Sequence, residues 1–126
     1  MADGDGDPAS VRRRVLVVED EILVAMELEA LLRQEGWDVL GPVRKVDAAL
    51  VLIDRQRPDM VLLDLNLQGE TTLPIAAALQ AQGVPFVILS GYNRSQVDAP
   101  ELRDAPRLSK PIMHHALIKL LATHLR

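Results

Sequence analysis

The sequence predicts a doubly wound α/β fold: a five-stranded parallel sheet of order 2-1-3-4-5 with helices on both faces. Three observations carry this. Short apolar runs alternate with helical stretches along the whole 126-residue chain. Three of those runs are continuous instead of alternating, the pattern of strands buried on both faces. Polar residues stand directly after four of the strands, where open parallel sheets place their ligands.

The first strand is read at Val15–Val18, bounded by Glu19, Asp20 and Glu21. A helix follows over 21–35, with Ile22, Ala25, Met26 and Leu32 at helical spacing and Gly36 in the C-cap region. Val39–Leu40 is the second strand, with Trp37 packing at its start. The next helix, over 45–57, carries Val46, Leu50 and Ile53 and stops at Pro58. Met60–Leu63 is the third strand. The helix over 72–82 carries Ile75 and Leu79, tolerates Pro74 in its first turn and stops at Gly83. Phe86–Leu89 and a weaker run at Arg107–Leu108 complete the sheet. The segment 93–106 holds two prolines and little periodicity, so any helix there is short. The last helix spans about 112–124. Together this is a (βα)5, flavodoxin-like arrangement.

Composition bounds the function. One domain of this length buries a core without staples. With 48% apolar residues and 2% aromatic ones, the core is built from Leu, Val, Ile and Ala. The absence of cysteine excludes disulfides and thiolate metal sites and suits the cytoplasm. A net charge of -4 and a pI near 5.3 argue against a nucleic-acid footprint. The tract RRRVLVV has too short an apolar part for a signal peptide, and no stretch approaches a membrane span. Residues 1–11, rich in Gly, Asp and Pro, read as a disordered tail and 12–126 as the folded domain.

In the predicted strand order, Asp20 after strand one and Asp64 after strand three face each other across a crevice. Ser90 and Lys110 end strands four and five on its far side. Carboxylates a few ångströms apart repel by roughly 1 to 4 kcal/mol per pair at effective dielectrics of about 80 to 20. A lysine offsets part of that, and a hard divalent cation offsets more. Oxygen ligands without His or Cys favour Mg2+. A carboxylate in such a site can serve as the nucleophile of phosphoryl transfer, with Ser90 donating to one phosphoryl oxygen and Lys110 pairing with another. Gly91 leaves space for the group to enter.

The acidic pair in VVEDE, the aspartate in LLDLNL, the hydroxyl in LSGY and the lysine in LSKP, in that order, resemble the receiver domains of two-component response regulators from about Arg14 onward. The resemblance implies a receiver domain over 12–126 that is phosphorylated on Asp64 by a histidine kinase or histidine phosphotransfer protein. It implies direct Mg2+ ligation by Asp20 and Asp64, a water-mediated role for Glu19, a further ligand from the Asn66 carbonyl, and a cis Lys110–Pro111 bond that shapes the loop aiming the lysine. PFVILSGY partly resembles the PFxFATGY signature of the FAT GUY branch of single-domain regulators, with Ile88, Leu89 and Ser90 where Phe, Ala and Thr are usual. Receivers usually carry Tyr or Phe three residues before the lysine. Here that position is Arg107, and Tyr92, two residues past Ser90, is the candidate moving aromatic group.

Each of these residues also has a bland reading. Asp20 fits a helix N-cap and Glu19 a first-turn acid; Asp64 fits a turn, Ser90 a satisfied loop hydroxyl and Lys110 a solvated cation. Their occurrence together at four strand ends favours the phosphoacceptor. His114 and His115, about 100° apart on a helix, read as surface residues, and Arg12–Arg14 as a solvated run. The first and last helices carry apolar residues beyond one core face: Leu23, Val24 and Ala30 on the first, and Ile112, Met113, Leu117, Ile118, Leu120, Leu121 and Leu125 on the last. These either add to the core or dock partners, a kinase or phosphotransfer domain on the first helix and a dimer mate or target on the last.

The leading expectation is therefore a stand-alone phospho-accepting switch, not a metabolic enzyme. A haloacid-dehalogenase-type phosphatase requires a second aspartate two residues after the nucleophile, and Asn66 stands there. A phosphorylation-independent binding module is kept open by Arg107. The initiating Met and the helix at the C-terminus weigh against a fragment of a longer regulator.

Overall fold

The computed structural model describes residues 13–67, 69–91, 100–102 and 104–124. The expected tail over 1–11, Arg12, Tyr92 and Leu125 lie outside the described residues. The elements in chain order are β1 (Arg14–Val18), α1 (Ile22–Gln34), β2 (Asp38–Val43), α2 (Val46–Gln56), β3 (Met60–Asp64), β4 (Asn66–Leu67), β5 (Glu70–Thr71), α3 (Leu73–Gln82), β6 (Phe86–Ser90), a 3-10 turn (Pro100–Leu102), β7 (Arg107–Ser109) and α4 (His114–His124). The main sheet is parallel throughout, ordered β2-β1-β3-β6-β7. Counting only its five members, this is the predicted 2-1-3-4-5. The short antiparallel pair β4-β5 is an addition between β3 and α3.

The continuous apolar runs have the expected cause. Along β1, Leu16 and Val18 enter a core with Val46, Ala49 and Ile53 of α2 and Ile75, Ala76 and Leu79 of α3. Val15 and Val17 enter a second core with Leu28, Leu31 and Leu32 of α1 and Leu117 and Leu121 of α4. Side chains alternate across a strand, so a sheet covered on both faces requires an apolar residue at every position. Trp37 belongs to the second core, as its place before β2 suggested.

Several local expectations are corrected. The core face of α1 is Ala25, Leu28, Leu31 and Leu32, whereas Ile22 and Met26 are exposed and Leu23 is 81% exposed. This helix carries two apolar stripes, and spacing alone did not say which one faces inward. On α4 the added apolar surface is largely core: Leu117 and Leu121 are buried, as is Ile112 just before the helix, Ile118 and Leu120 are partly buried, and Met113 is exposed. Helix α1 begins after Glu21, so Asp20 does not cap it. Arg14 is not simply solvated: its guanidinium donates to Gln56 Oε1 and the Arg57 carbonyl, and its backbone N–H donates to Asp59 Oδ2. It ties the start of β1 to the end of α2. Between β6 and β7 the described residues hold the 3-10 turn and no α-helix.

Strand β2 is longer than expected because Gly41 and Pro42 lie inside it. Leu16 pairs with Leu40 and Val18 with Val43, so three steps along β2 match two along β1. That is a bulge, and an edge strand accommodates a proline there. The Gly41–Pro42 bond is cis.

Candidate functional site

The strand ends converge at the carboxyl edge of the sheet. Glu19 follows β1, and its backbone N–H donates to the Val43 carbonyl at 3.0 Å. The bulge in β2 delivers that carbonyl, so an edge-strand irregularity holds the first acid of the site. Asp64 is the last residue of β3 and pairs in register with Leu89 of β6. Ser90 follows as the half-buried end of β6. Lys110 comes directly after β7, and its backbone N–H donates to the Ser90 carbonyl at 2.8 Å. The Lys110–Pro111 bond is cis.

One carboxylate oxygen from each of Glu19, Asp20 and Asp64 lies within 4.8 Å of the others. Glu19 is fully buried and Asp64 nearly so. The Lys110 ammonium reaches into this group, 2.9 Å from Glu19 Oε1, 3.1 Å from Glu19 Oε2 and 3.2 Å from Asp64 Oδ2. A fourth acid completes the set. Glu21 Oε1 stands 2.6 Å from Nζ, the shortest of these contacts, although the Glu21 side chain is 60% exposed. In the sequence Glu21 marks only the start of the first helix. The signal available was a third acid in EDE, directly after the two that follow the first strand.

Electrostatics at the site follow from burial. Desolvation pushes the Glu19 carboxyl up from 4.5 to about 7, with the Asp64 charge adding to the rise, against the hydrogen bonds from Lys110 and from the Glu21 N–H. Burial alone would lower the Lys110 pKa. Hydrogen bonds to Glu21 and Glu19 and the charges of Asp64 and Glu19 outweigh it, so the ammonium is held above its ordinary range. Glu19 Oε1 touches Nζ but has no well-aligned hydrogen-bond donor among the described residues. A buried carboxylate oxygen in that condition, beside two more acids and with only oxygen donors present, fits a hard cation such as Mg2+.

Glu19 gives a pH dependence with a defined sign. Its folded pKa lies above its unfolded one, so the folded state binds the extra proton between about pH 7 and 4.5. In metal-free buffer the stability of the wild type relative to Glu19→Gln should therefore rise as pH falls through that window, by at most about 1.4 kcal/mol per pH unit. Urea titrations of both proteins from pH 8 to pH 4 measure it; a difference that is flat or falls would contradict the buried, desolvated carboxylate.

The remaining expected residues are placed as follows. The backbone of Asn66 is in β4, paired with Thr71. Arg107 is exposed at the start of β7, in register with Ile88. His114 and His115 are exposed, as expected. A Cβ at Gly91 would meet no described residue within 4 Å, so the space beside Ser90 is open there.

Parallel strands that deliver three acids and a lysine to one sheet edge define a receiver-type α/β module. The chain belongs to the response regulator receiver domain family, whose model matches residues 15–122. Among its relatives, the transcriptional regulatory protein PdtaR of Mycobacterium tuberculosis is 34% identical over 98 residues, 77% of this chain and 47% of that protein. The DNA-binding response regulator MtrA of the same organism is 40% identical over 84 residues, 64% of this chain and 36% of that protein. The chain thus matches half or less of the length of these relatives. Among solved structures, SdrG from Sphingomonas melonis Fr1 superposes with a TM-score of 0.81 at 38% identity, covering 91% of this chain and 98% of that one. The receiver domain of Erythrobacter litoralis PhyR superposes with a TM-score of 0.78 at 25% identity, covering 91% of each chain. No helix among the described residues is long and apolar enough to cross a membrane.

Proposed function

We propose that this receiver accepts a phosphoryl group on Asp64 from a histidine kinase or histidine phosphotransfer protein and acts as a stand-alone cytoplasmic switch, passing the signal by protein contact or onward relay. The observation that carries this is the convergence of Glu19, Asp20 and Asp64 on one point with Lys110 among them. An Asp64 oxygen forms the new P–O bond as the P–N bond to the donor imidazole breaks, and the released nitrogen takes up a proton. Ser90 and Lys110 take two of the phosphoryl oxygens, the hydroxyl by donating and the ammonium by pairing. Asp20, Asp64 and the Asn66 carbonyl, with Glu19 assisting through water, would hold Mg2+, which would offset the negative charge. Tyr92, two residues past Ser90, would supply the moving aromatic group where Arg107 stands in the usual aromatic position, and the chain would fall in the FAT GUY branch of single-domain regulators.

The exposed Ile22, Leu23 and Met26 beside the acids suit a docking donor, and Met113 at the start of the last helix suits a dimer mate or target. Incubation with Mg2+ and acetyl phosphate, followed by intact mass measurement, tests the central claim. The wild type should gain about 80 Da, one phosphoryl group, and Asp64→Asn should gain none. If the wild type and Asp64→Asn gained equally, the acceptor would lie elsewhere. If neither gained mass from acetyl phosphate or from phosphorylated donor proteins, a phosphorylation-independent binding module would replace this reading.

A further inference from the structure

Lys110 and a divalent cation compete for the same oxygens. The ammonium lies within 3.2 Å of Glu19 and Asp64, two of the three acids that form the cation-sized cluster. A cation entering that cluster repels the ammonium, and 9% exposure of the lysine side chain leaves little water to receive it. Glu21 is placed differently from the other acids. Its carboxylate is on the rim, is not part of the three-acid cluster, and makes the shortest contact with Nζ, at 2.6 Å. Its backbone is fixed as the N-cap residue of α1, and its N–H donates to Glu19 Oε2 at 3.0 Å. The side chain makes no cap hydrogen bond and is committed to the lysine instead.

We infer that Glu21 is a positioning residue, a rim counter-ion that takes over the Lys110 ammonium when a divalent cation enters the Glu19–Asp20–Asp64 cluster. The inference rests on the cation-binding reading of that cluster. The lysine then pivots by a short distance instead of being expelled, and it stays charged and close to Asp64 for its next partner. Without Glu21, cation entry leaves the ammonium facing the cation with no further anion against it among the described residues, and cation affinity falls.

The test is Mg2+ titration by calorimetry on wild type, Glu21→Gln, Lys110→Met and the double variant. Glu21→Gln should weaken Mg2+ binding about two- to fivefold in the presence of Lys110, the range expected for a partly exposed ion pair. In the Lys110→Met background the same substitution should change affinity by less than about 1.5-fold, since only the screened through-space charge remains. An equal effect in both backgrounds, or none with Lys110 present, would overturn the role of Glu21 while leaving the cation site standing. If the wild type itself failed to bind Mg2+ at millimolar concentration, the cation reading would fall and this inference with it. A second readout avoids dependence on the folding of Lys110→Met. The Lys110 15Nζ ammonium signal should persist at Mg2+ saturation in the wild type and be lost to solvent exchange in Glu21→Gln. Persistence in both would overturn the assignment.

Discussion

Lys110→Met should destabilise the metal-free protein by about 3 kcal/mol at pH 8, with most of the loss recovered by pH 5. The lysine is the cation shared by buried Glu19 and nearly buried Asp64. Removing one partner of a buried pair leaves an uncompensated charge in low dielectric, which costs about 3 to 5 kcal/mol. The exposed Glu21 regains water when its partner is lost, so it adds little. Acid relieves the penalty because burial already holds the Glu19 carboxyl near 7, and losing the lysine removes a hydrogen bond and a charge that keep it from rising further. Arg107→Met, at an exposed position three residues earlier, should change stability by no more than about 0.5 kcal/mol. Urea denaturation at both pH values measures this. A loss that did not diminish with acid would mean that Lys110 acts through packing and not through charge.

Gly41→Ala should cost about 3 kcal/mol. Gly41 has a φ of +83, and a Cβ there would lie 2.8 Å from the Val43 nitrogen and 3.0 Å from the Val17 carbonyl oxygen. Both neighbours are backbone of the paired strands, so neither yields without disturbing the sheet. Left-handed strain and overpacking each cost about 1 to 3 kcal/mol. Gly83→Ala is the comparison: its φ is +71 but its Cβ would meet nothing within 4 Å, so only about 1 kcal/mol is expected. If the two alanine variants proved equally stable, the bulge would have shifted to relieve the contact. Any such shift also moves the Val43 carbonyl that receives the Glu19 N–H, so Mg2+ affinity should weaken along with stability in Gly41→Ala and remain unchanged in Gly83→Ala.

The parts of the fold that could be read from sequence are those where burial acts on consecutive residues. Val15–Val18, Met60–Leu63 and Phe86–Leu89 have apolar neighbours on both faces and could not be mistaken for half-exposed strands. The acids and the lysine were legible for a related reason: a polar residue immediately after a buried run marks the place where a strand leaves the core. What escaped was set by pairing instead of by local pattern. Gly41–Pro42 looks like a turn and becomes part of a strand only through its register with β1. The pair β4-β5 has two residues in each strand, too few for any periodicity. Ile22 and Met26 obey the same helical spacing as Leu28 and Leu32, and the choice between the stripes was made by how α1 sits on the sheet. Glu21 belongs to the site only because Lys110, distant in sequence, arrives beside it.

That arrival has a consequence for the order of assembly. The lysine and Glu19 are separated by 91 residues, and Lys110 is anchored only after β7 has joined the sheet. Contacts of such long range form after the local ones have closed the intervening chain. Until then the acids at the ends of β1 and β3 are brought together with no internal cation, and the nascent domain must keep them solvated, protonated or bound to an ion from solution. The final strand of the sheet therefore does more than complete its edge: its docking neutralises the centre, so an intact site waits on the segment that carries β7 and Lys110.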